Sequence, residues 1–388
     1  MSFRRKLIRI IQFCKYVTAY IISRFYTNEN IWLLSERGTD ARDNSYWFFI
    51  FLLNNSSDVK PYFAITNDSP DKCRLKSFSN NLVEYGSFLH YVVYCRAKVL
   101  ISTHIYGYAP VPSLFQRLDR IFHINEGKFC IMLQHGITKD YIPSLNFSNT
   151  KVDLMVCGAK PEYDYMQYAF GYPKENVQYL GFCRFDSLKL GKSEDRIILV
   201  MPTWRRWLTE NNIANSEYIN VYNELINNKT ILYLLREYDY KLVFYPHHEI
   251  QPYIELLRVD IPNDRVIVAD KYHYDVQDLL NQSSVLITDY SSVFFDFAYM
   301  RKPVIFYQFD QKRYRTAHYA EGYFRYEDSF GPVVLYINDL IDQIRNLIIE
   351  GCLLKKQYEE KCNEFFPLTD HNNCRRTYSY IKDRLSNN

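Results

Sequence analysis

The chain has 388 residues, 47% of them hydrophobic and 23% charged, with only 12 Gly and 14 Pro. That balance belongs to a packed protein of two or three domains and excludes disordered, collagen-like and linker-rich chains. The net charge of +3 is unevenly spread: the first 28 residues hold Arg4, Arg5, Lys6, Arg9, Lys15 and Arg24 and no acid, so the remainder is net negative. A body of that sign is no general nucleic-acid binder, whose affinity comes from phosphate neutralisation.

At the amino end, Phe3, Leu7, Ile11, Cys14, Thr18, Ile21 or Ile22, and Phe25 recur at steps of three and four, which predicts a helix. Cations interrupt it too often for a secretory signal or for a span of roughly 20 apolar residues. Two readings stay open: a basic amphipathic helix lying on an anionic membrane surface, or a terminal helix packed on the body. The longest apolar run elsewhere, 46–53, is far too short to span. The expectation is a cytoplasmic protein, peripheral on the inner face of the membrane. Nine cysteines without a CxxC pair read as free thiols, not as a disulfide framework or a zinc site.

Further along, apolar runs at 31–35, 61–66, 99–103, 129–134, 154–157, 197–202, 241–245, 265–268, 285–288 and 303–307 predict strands. Several lack in–out alternation, as strands covered on both faces do. Helical patterns at 43–54, 161–170, 217–235 and 275–281 fall between them. This alternation predicts an α/β protein with parallel sheets. A break near 190–195 divides it into two Rossmann-like domains facing each other across a cleft. The expected domains are a basic amphipathic helix at 1–28, a Rossmann-like domain at 29–190, and a second at 191–388 with a helical tail, which the family resemblance described below would make the acceptor and donor domains.

Ligands of such sheets bind beyond the carboxyl ends of the strands, and five sets of residues lie there. The first is Gln134-His135-Gly136-Ile137-Thr138-Lys139-Asp140, where Gly136 permits a sharp turn and His135 suits proton transfer near neutral pH. The second is Gly181-Phe182-Cys183-Arg184-Phe185-Asp186, with Arg184 either contacting a phosphate or pairing with Asp186. The third, Pro202-Thr203-Trp204-Arg205-Arg206, offers a hydroxyl, backbone amides and cations to a nucleotide. The fourth is Tyr245-Pro246-His247-His248; adjacent histidines point in different directions, so no metal is expected. The fifth is Thr288-Asp289-Tyr290-Ser291-Ser292-Val293-Phe294-Phe295-Asp296, followed by Arg301-Lys302-Pro303. Here a helix led by two serines would receive a phosphate, with Asp296 accepting bonds from sugar hydroxyls; the other reading is an ordinary capped helix. There is no GxGxxG after a strand and no GxxxxGK[ST], which argues against nicotinamide and P-loop chemistry.

In this order the five sets resemble the CDP-glycerol glycerophosphotransferase family, whose members prime or polymerise teichoic acids and build phosphate-linked capsules. TDYSS…FD with the following KP is the most specific piece, and the late FGPVV adds to it. The resemblance implies a GT-B-type fold, peripheral membrane association, and transfer of glycerol or ribitol phosphate from a CDP-alditol to a lipid-linked or polymeric glycan with release of CMP. It implies His135 as general base, His247 on the donor pyrophosphate, and Arg184, Pro202, Thr203, Ser291, Ser292 and Asp296 lining the donor site. No cofactor or catalytic metal is implied. Where many members read HGTPLK this chain reads HGITKD, so either Lys139 replaces the later lysine or the acceptor differs. A GT-B glycosyltransferase using a nucleotide sugar is the alternative.

Overall fold

The computed structural model describes residues 3–26, 29–260, 264–317 and 321–387; the side chains of Phe3, Arg4, Arg5 and Lys6 lie outside the described residues. The chain divides into two compact units, the first comprising Met1–Ile137, Pro143–Asp186 and Leu368–Asn388, and the second Thr138–Ile142 and Ser187–Pro367. A single cut at 190 therefore misassigns two pieces. The segment carrying Lys139 belongs to the second unit, and the carboxyl-terminal helix, Asn373–Ser386, belongs to the first.

That helix is drawn to the first unit by specific bonds. The Asp186 carboxylate accepts from the backbone N–H of Asn373 and of Cys374, both at 2.9 Å, and so satisfies amides that a helix start leaves unpaired. The Tyr378 ring packs 5.8 Å from Trp32 and 6.1 Å from Phe51. Gly181 permits the approach: its φ is +79°, and a Cβ there would lie 1.9 Å from Asn373 Oδ1.

The first unit is built on one parallel sheet of β1 (Ile31–Ser35), β2 (Lys60–Ile65), β3 (Leu82–Glu84), β4 (Val99–Ser102), β5 (Phe129–Met132), β6 (Leu154–Cys157) and β7 (Val177–Tyr179). Their order is β3-β2-β1-β4-β5-β6-β7. The second unit repeats the plan with β8 (Ile197–Val200), β9 (Lys241–Phe244), β10 (Val266–Val268), β11 (Val285–Thr288), β12 (Val304–Tyr307) and β13 (Val333–Val334), in the order β10-β9-β8-β11-β12-β13. Each sheet reverses its strand order once, between β1 and β4 and between β8 and β11, and such switch points are where this architecture binds ligands. All ten expected strands are present. The three unexpected ones, β3, β7 and β13, are short edge strands.

Burial on both faces explains the missing alternation. Trp32 and Leu34 join one core with Phe48, Phe63 and Ile101, while Ile31 and Leu33 join another with Tyr91, Tyr94, Leu100 and Phe115. Each such side chain contributes roughly 1.5–3 kcal/mol on burial. Helix α2 (Asn44–Asn55) starts at Asp43, whose carboxylate caps it. The single helix expected at 217–235 is two, broken at Asn228, whose side-chain oxygen accepts from the N–H of Thr230 and Ile231.

Helix α1 (Phe3–Ser23) lies on α3 (Phe88–Arg96) and touches α4 (Pro112–Phe122). The contact runs through a Gln12–Tyr91 hydrogen bond, fully buried Ala19, and Tyr16 set edge-on to Phe115 at 5.4 Å. The apolar seam read from the spacing is not this stripe. Leu7, Ile11, Cys14, Thr18, Ile21 and Phe25 face outward. No described helix is long and apolar enough to cross a membrane. All nine cysteines are unbridged.

Candidate active site

In the first unit the chain leaves β5 through Leu133 and turns at Gln134, which has φ +57°. The sharp turn expected at Gly136 is thus made two residues earlier, by a residue that rarely adopts this conformation. Buried bonds fix it. Gln134 Nε2 donates to Val156 O (3.0 Å) and Glu162 Oε1 (3.2 Å), and Glu162 Oε2 accepts from Gly158 N (2.8 Å). Asn44, fully buried at the head of α2, donates to the carbonyls of Leu133 (3.2 Å) and Gln134 (2.8 Å) and accepts from Arg184 N (3.0 Å). His135 emerges exposed from this turn, and Gly136 is half-buried beside it.

Arg184 contributes to the turn. Its guanidinium pairs with Asp43 at 3.0 Å, reaches the His135 carbonyl at 3.4 Å, and lies over the rings of Phe182 and Phe185 at 4.8 and 5.3 Å. The partner found is Asp43 rather than Asp186. Arg184 is 8% exposed and committed to Asp43, and Asp186 is engaged by the carboxyl-terminal helix.

A second histidine, missed in the sequence, stands beside the first. His104 follows β4 at the switch point, and its ring stacks on that of His135 with centroids 4.5 Å apart and planes at 10°. Burial, then His135 and Arg37, hold its pKa far below the usual histidine range, so it is neutral. Glu36, at the end of β1, accepts from the backbone N–H of Asp43 at 2.7 Å. Burial and the neighbouring Asp43 raise it to about 8.

In the second unit the loops after β8, β11 and β12 are tied together by a buried ion cluster. Arg205 is wholly buried, 2.8 Å from Asp289 and 2.6 Å from Asp310, and donates to the Thr203 carbonyl at 2.7 Å. The rings of Tyr218, Tyr290 and Tyr314 surround its guanidinium at 5.1–5.4 Å, and Tyr290 stacks on Tyr314 at 3.5 Å. Asp289 also accepts from Thr203 N (2.8 Å) and the Tyr222 hydroxyl (3.2 Å). Arg205 is thus spent inside the unit, where it ties these loops to one another.

Three other expected site residues, and the lysine of the KP pair, are buried. Lys139 is 6% exposed and paired with Asp140, and burial lowers its pKa. Asp296 is 3% exposed, inside the helix Phe294–Tyr299. Pro202 is buried and shapes the turn after β8. Lys302, in the KP pair, is buried and donates to the carbonyls of Leu280, Asn281 and Ser283 at 2.7–3.0 Å, closing the carboxyl end of the helix Val276–Gln282.

What remains presented is a set of hydrogen-bond donors. Ser291 and Ser292 do not cap the helix, which begins later with Val293 as its unbonded cap. They form the preceding turn through their carbonyls, which accept from Phe294 N (3.4 Å) and Phe295 N (3.1 Å). Their half-buried hydroxyls and that of Thr203 bond to no other described residue. After β9, His247 Nδ1 accepts from Glu249 N at 3.3 Å, which places the ring proton on Nε2 as a donor. Among the described residues no group of three or more His, Cys, Asp or Glu is placed to hold a metal ion.

The sequence profile of the CDP-Glycerol:Poly(glycerophosphate) glycerophosphotransferase family matches residues 16–383. The chain belongs to this family. The minor teichoic acid biosynthesis protein GgaB of Bacillus subtilis (strain 168) is 33% identical to it over 378 residues, covering 94% of this chain and 41% of GgaB. The teichoic acid glycerol-phosphate transferase of Staphylococcus aureus (strain NCTC 8325 / PS 47) is 25% identical over 59% of this chain and 57% of its own length. The chain thus spans about two fifths to three fifths of these curated relatives. The solved structure of the wall teichoic acid polymerase TagF matches with a TM-score of 0.67 at 18% identity, over 99% of this chain and 97% of that one. The S. aureus MnaA–UDP structure matches with a TM-score of 0.58 at 15% identity, over 92% and 97%. These likenesses establish the fold class as GT-B-like, two parallel-sheet α/β units. In this glycerophosphotransferase-family chain the TDYSS motif divides its labour: Asp289 and Tyr290 point inward to Arg205, while Ser291 and Ser292 are presented.

Proposed function

We propose that this chain transfers glycerol phosphate or ribitol phosphate from a CDP-alditol to a hydroxyl of a lipid-linked or growing glycan, releasing CMP, in teichoic-acid or capsular polymer synthesis. The observation that carries this reading is the exposed His135 imidazole, held on an internally bonded turn at the carboxyl end of the first sheet. The family match and the names of the teichoic acid relatives support it. The acceptor hydroxyl gives its proton to His135, and its oxygen attacks the alditol-bearing phosphorus. The bond from that phosphorus to the bridging oxygen breaks, and the electron pair leaves with CMP. The second unit supplies the Ser291, Ser292 and Thr203 hydroxyls and the His247 Nε2–H to the donor phosphates.

The test is a panel of CDP-glycerol, CDP-ribitol and UDP-sugars incubated with a glycan acceptor, followed by CMP or UDP release. CMP from a CDP-alditol supports the reading; UDP release from a sugar donor replaces it with glycosyl transfer. His135→Ala should lower turnover about 10²–10⁴-fold with the fold intact, and near-normal turnover would remove His135 from the chemistry.

We also propose that α1 attaches the enzyme to an anionic membrane surface. Leu7, Ile10, Ile11, Phe13, Val17 and Ile21 are exposed on it, and Phe88, Leu89, Ile121 and Phe122 are exposed on α3 and α4. Exposed Arg9 and Arg24 add charge attraction. Replacing Leu7, Ile11 and Ile21 with Gln should abolish sedimentation with phosphatidylglycerol vesicles; undiminished binding places attachment elsewhere.

A further inference from the structure

We infer that His104 is a positioning residue for the reaction: its ring is the platform that fixes the His135 imidazole and carries the face against which the transferred proton is held. The inference rests on reading His135 as the base. Topology brings the two together. β4 and β5 are paired with Ser102 opposite Met132, and the two histidines follow those residues by two and three positions. The parallel stack at 4.5 Å and 10° restricts rotation of an otherwise exposed side chain.

His104 is itself held. Its Nδ1 lies 2.9 Å from Thr103 Oγ1, and Ser102 Oγ donates to its carbonyl. At Gly107 a Cβ would meet the Glu36 carbonyl at 2.2 Å, so only glycine lets this loop close on the end of β1.

The charges around the pair are Arg37 in the loop after β1, Arg184 on the His135 carbonyl, Asp43 paired with Arg184, and Glu36 behind α2. His104 stays neutral among them. A proton arriving on His135 therefore meets an aromatic face, which attracts a cation, rather than a second imidazolium, which would repel it. The stack thus leaves the exposed ring, rather than the half-buried one, to take the acceptor's proton.

The test uses the full chain with CDP-glycerol and a glycan acceptor, measuring kcat, donor KM and the pH dependence of kcat. His104→Phe keeps a flat neutral ring and should stay within about threefold of the parent. His104→Ala removes the platform and should lose about tenfold in kcat at unchanged donor KM. His104→Lys places a cation under His135; it should lose more and move the acid limb of the kcat profile to lower pH, because a nearby cation disfavours protonation. An Ala variant with parental kcat and an unmoved acid limb overturns the inference. So does a Phe variant as damaged as Ala. His135→Ala in the same assay separates the two readings: if it retains turnover the base assignment fails, and if it alone loses turnover only the platform fails.

Discussion

The two units share a strand order but hold their loops by opposite means. The first fixes His135 with neutral amides, chiefly Asn44, and with a guanidinium at the edge of exposure. The second fixes the loops after β8, β11 and β12 with a wholly buried cation between two carboxylates in a box of tyrosine rings. Hydrogen bonds between neutral groups are worth about 1 kcal/mol each net, whereas an ion cluster out of water is held by large opposing terms. The second unit should therefore fail abruptly when one partner is removed, and the first by degrees.

The largest expected effect tests that contrast directly. Arg205→Met leaves Asp289 and Asp310 uncompensated and should cost the second unit about 3–5 kcal/mol, read as its transition in urea. Adding Asp289→Asn and Asp310→Asn should recover most of the loss. A single variant that unfolds like the parent means the ions are not what holds these loops.

Next in size is Asn44→Ala, which strands the Leu133 and Gln134 carbonyls and the Arg184 N–H. At about 1–3 kcal/mol for a buried unmet group, with partial relaxation, the first unit should lose about 2–3 kcal/mol. Turnover should fall while CDP-glycerol affinity, measured by calorimetry, holds. Weakened donor affinity would contradict the division of roles between the units.

The smallest effect is graded by pH. His90 is fully buried, its Nδ1 accepting from Gly86 N and its Nε2–H donating to Tyr108 O, both at 3.0 Å. Burial lowers its pKa to about 4. Below about pH 6.5 the unfolded chain takes up a proton that the folded one refuses, so stability is present above that pH and drains away toward pH 4, by at most about 3 kcal/mol. His104 acts in the same direction. The described histidines of the second unit, His247, His248 and His273, are not buried, so this slope belongs to the first unit. Glu36, raised to about 8 by burial and Asp43, pulls the first unit's stability the other way over this range, so the His90 contribution is read as the difference between the parent and His90→Gln: urea midpoints whose difference is the same at pH 7 and pH 4.5 would contradict it.

Continuous apolar runs announced every interior strand, because burial on both faces leaves no room for polar residues. The edge strands β3, β7 and β13, of two or three residues each, were silent, whereas β10, an edge strand of three, was legible because all three are Val or Ile. Positions just past the strands were also legible, which located His135, His247, Thr203, Ser291 and Ser292. What could not be read was which polar residues turn inward. Arg184 finds Asp43 across 141 positions and Arg205 finds Asp310 across 105, and no local spacing encodes such partners. His104 was within reach, since it too follows a strand, but no glycine or motif beside it marks the place.

The carboxyl-terminal helix carries a consequence for biosynthesis. Because Asn373–Ser386 completes the first unit, the second is threaded through it as an insertion. During translation the loops around Arg205 emerge and can close while the first unit still waits, its Asp186 carboxylate without the amides from which it will accept. Of the two units, the one begun earlier is the one finished later.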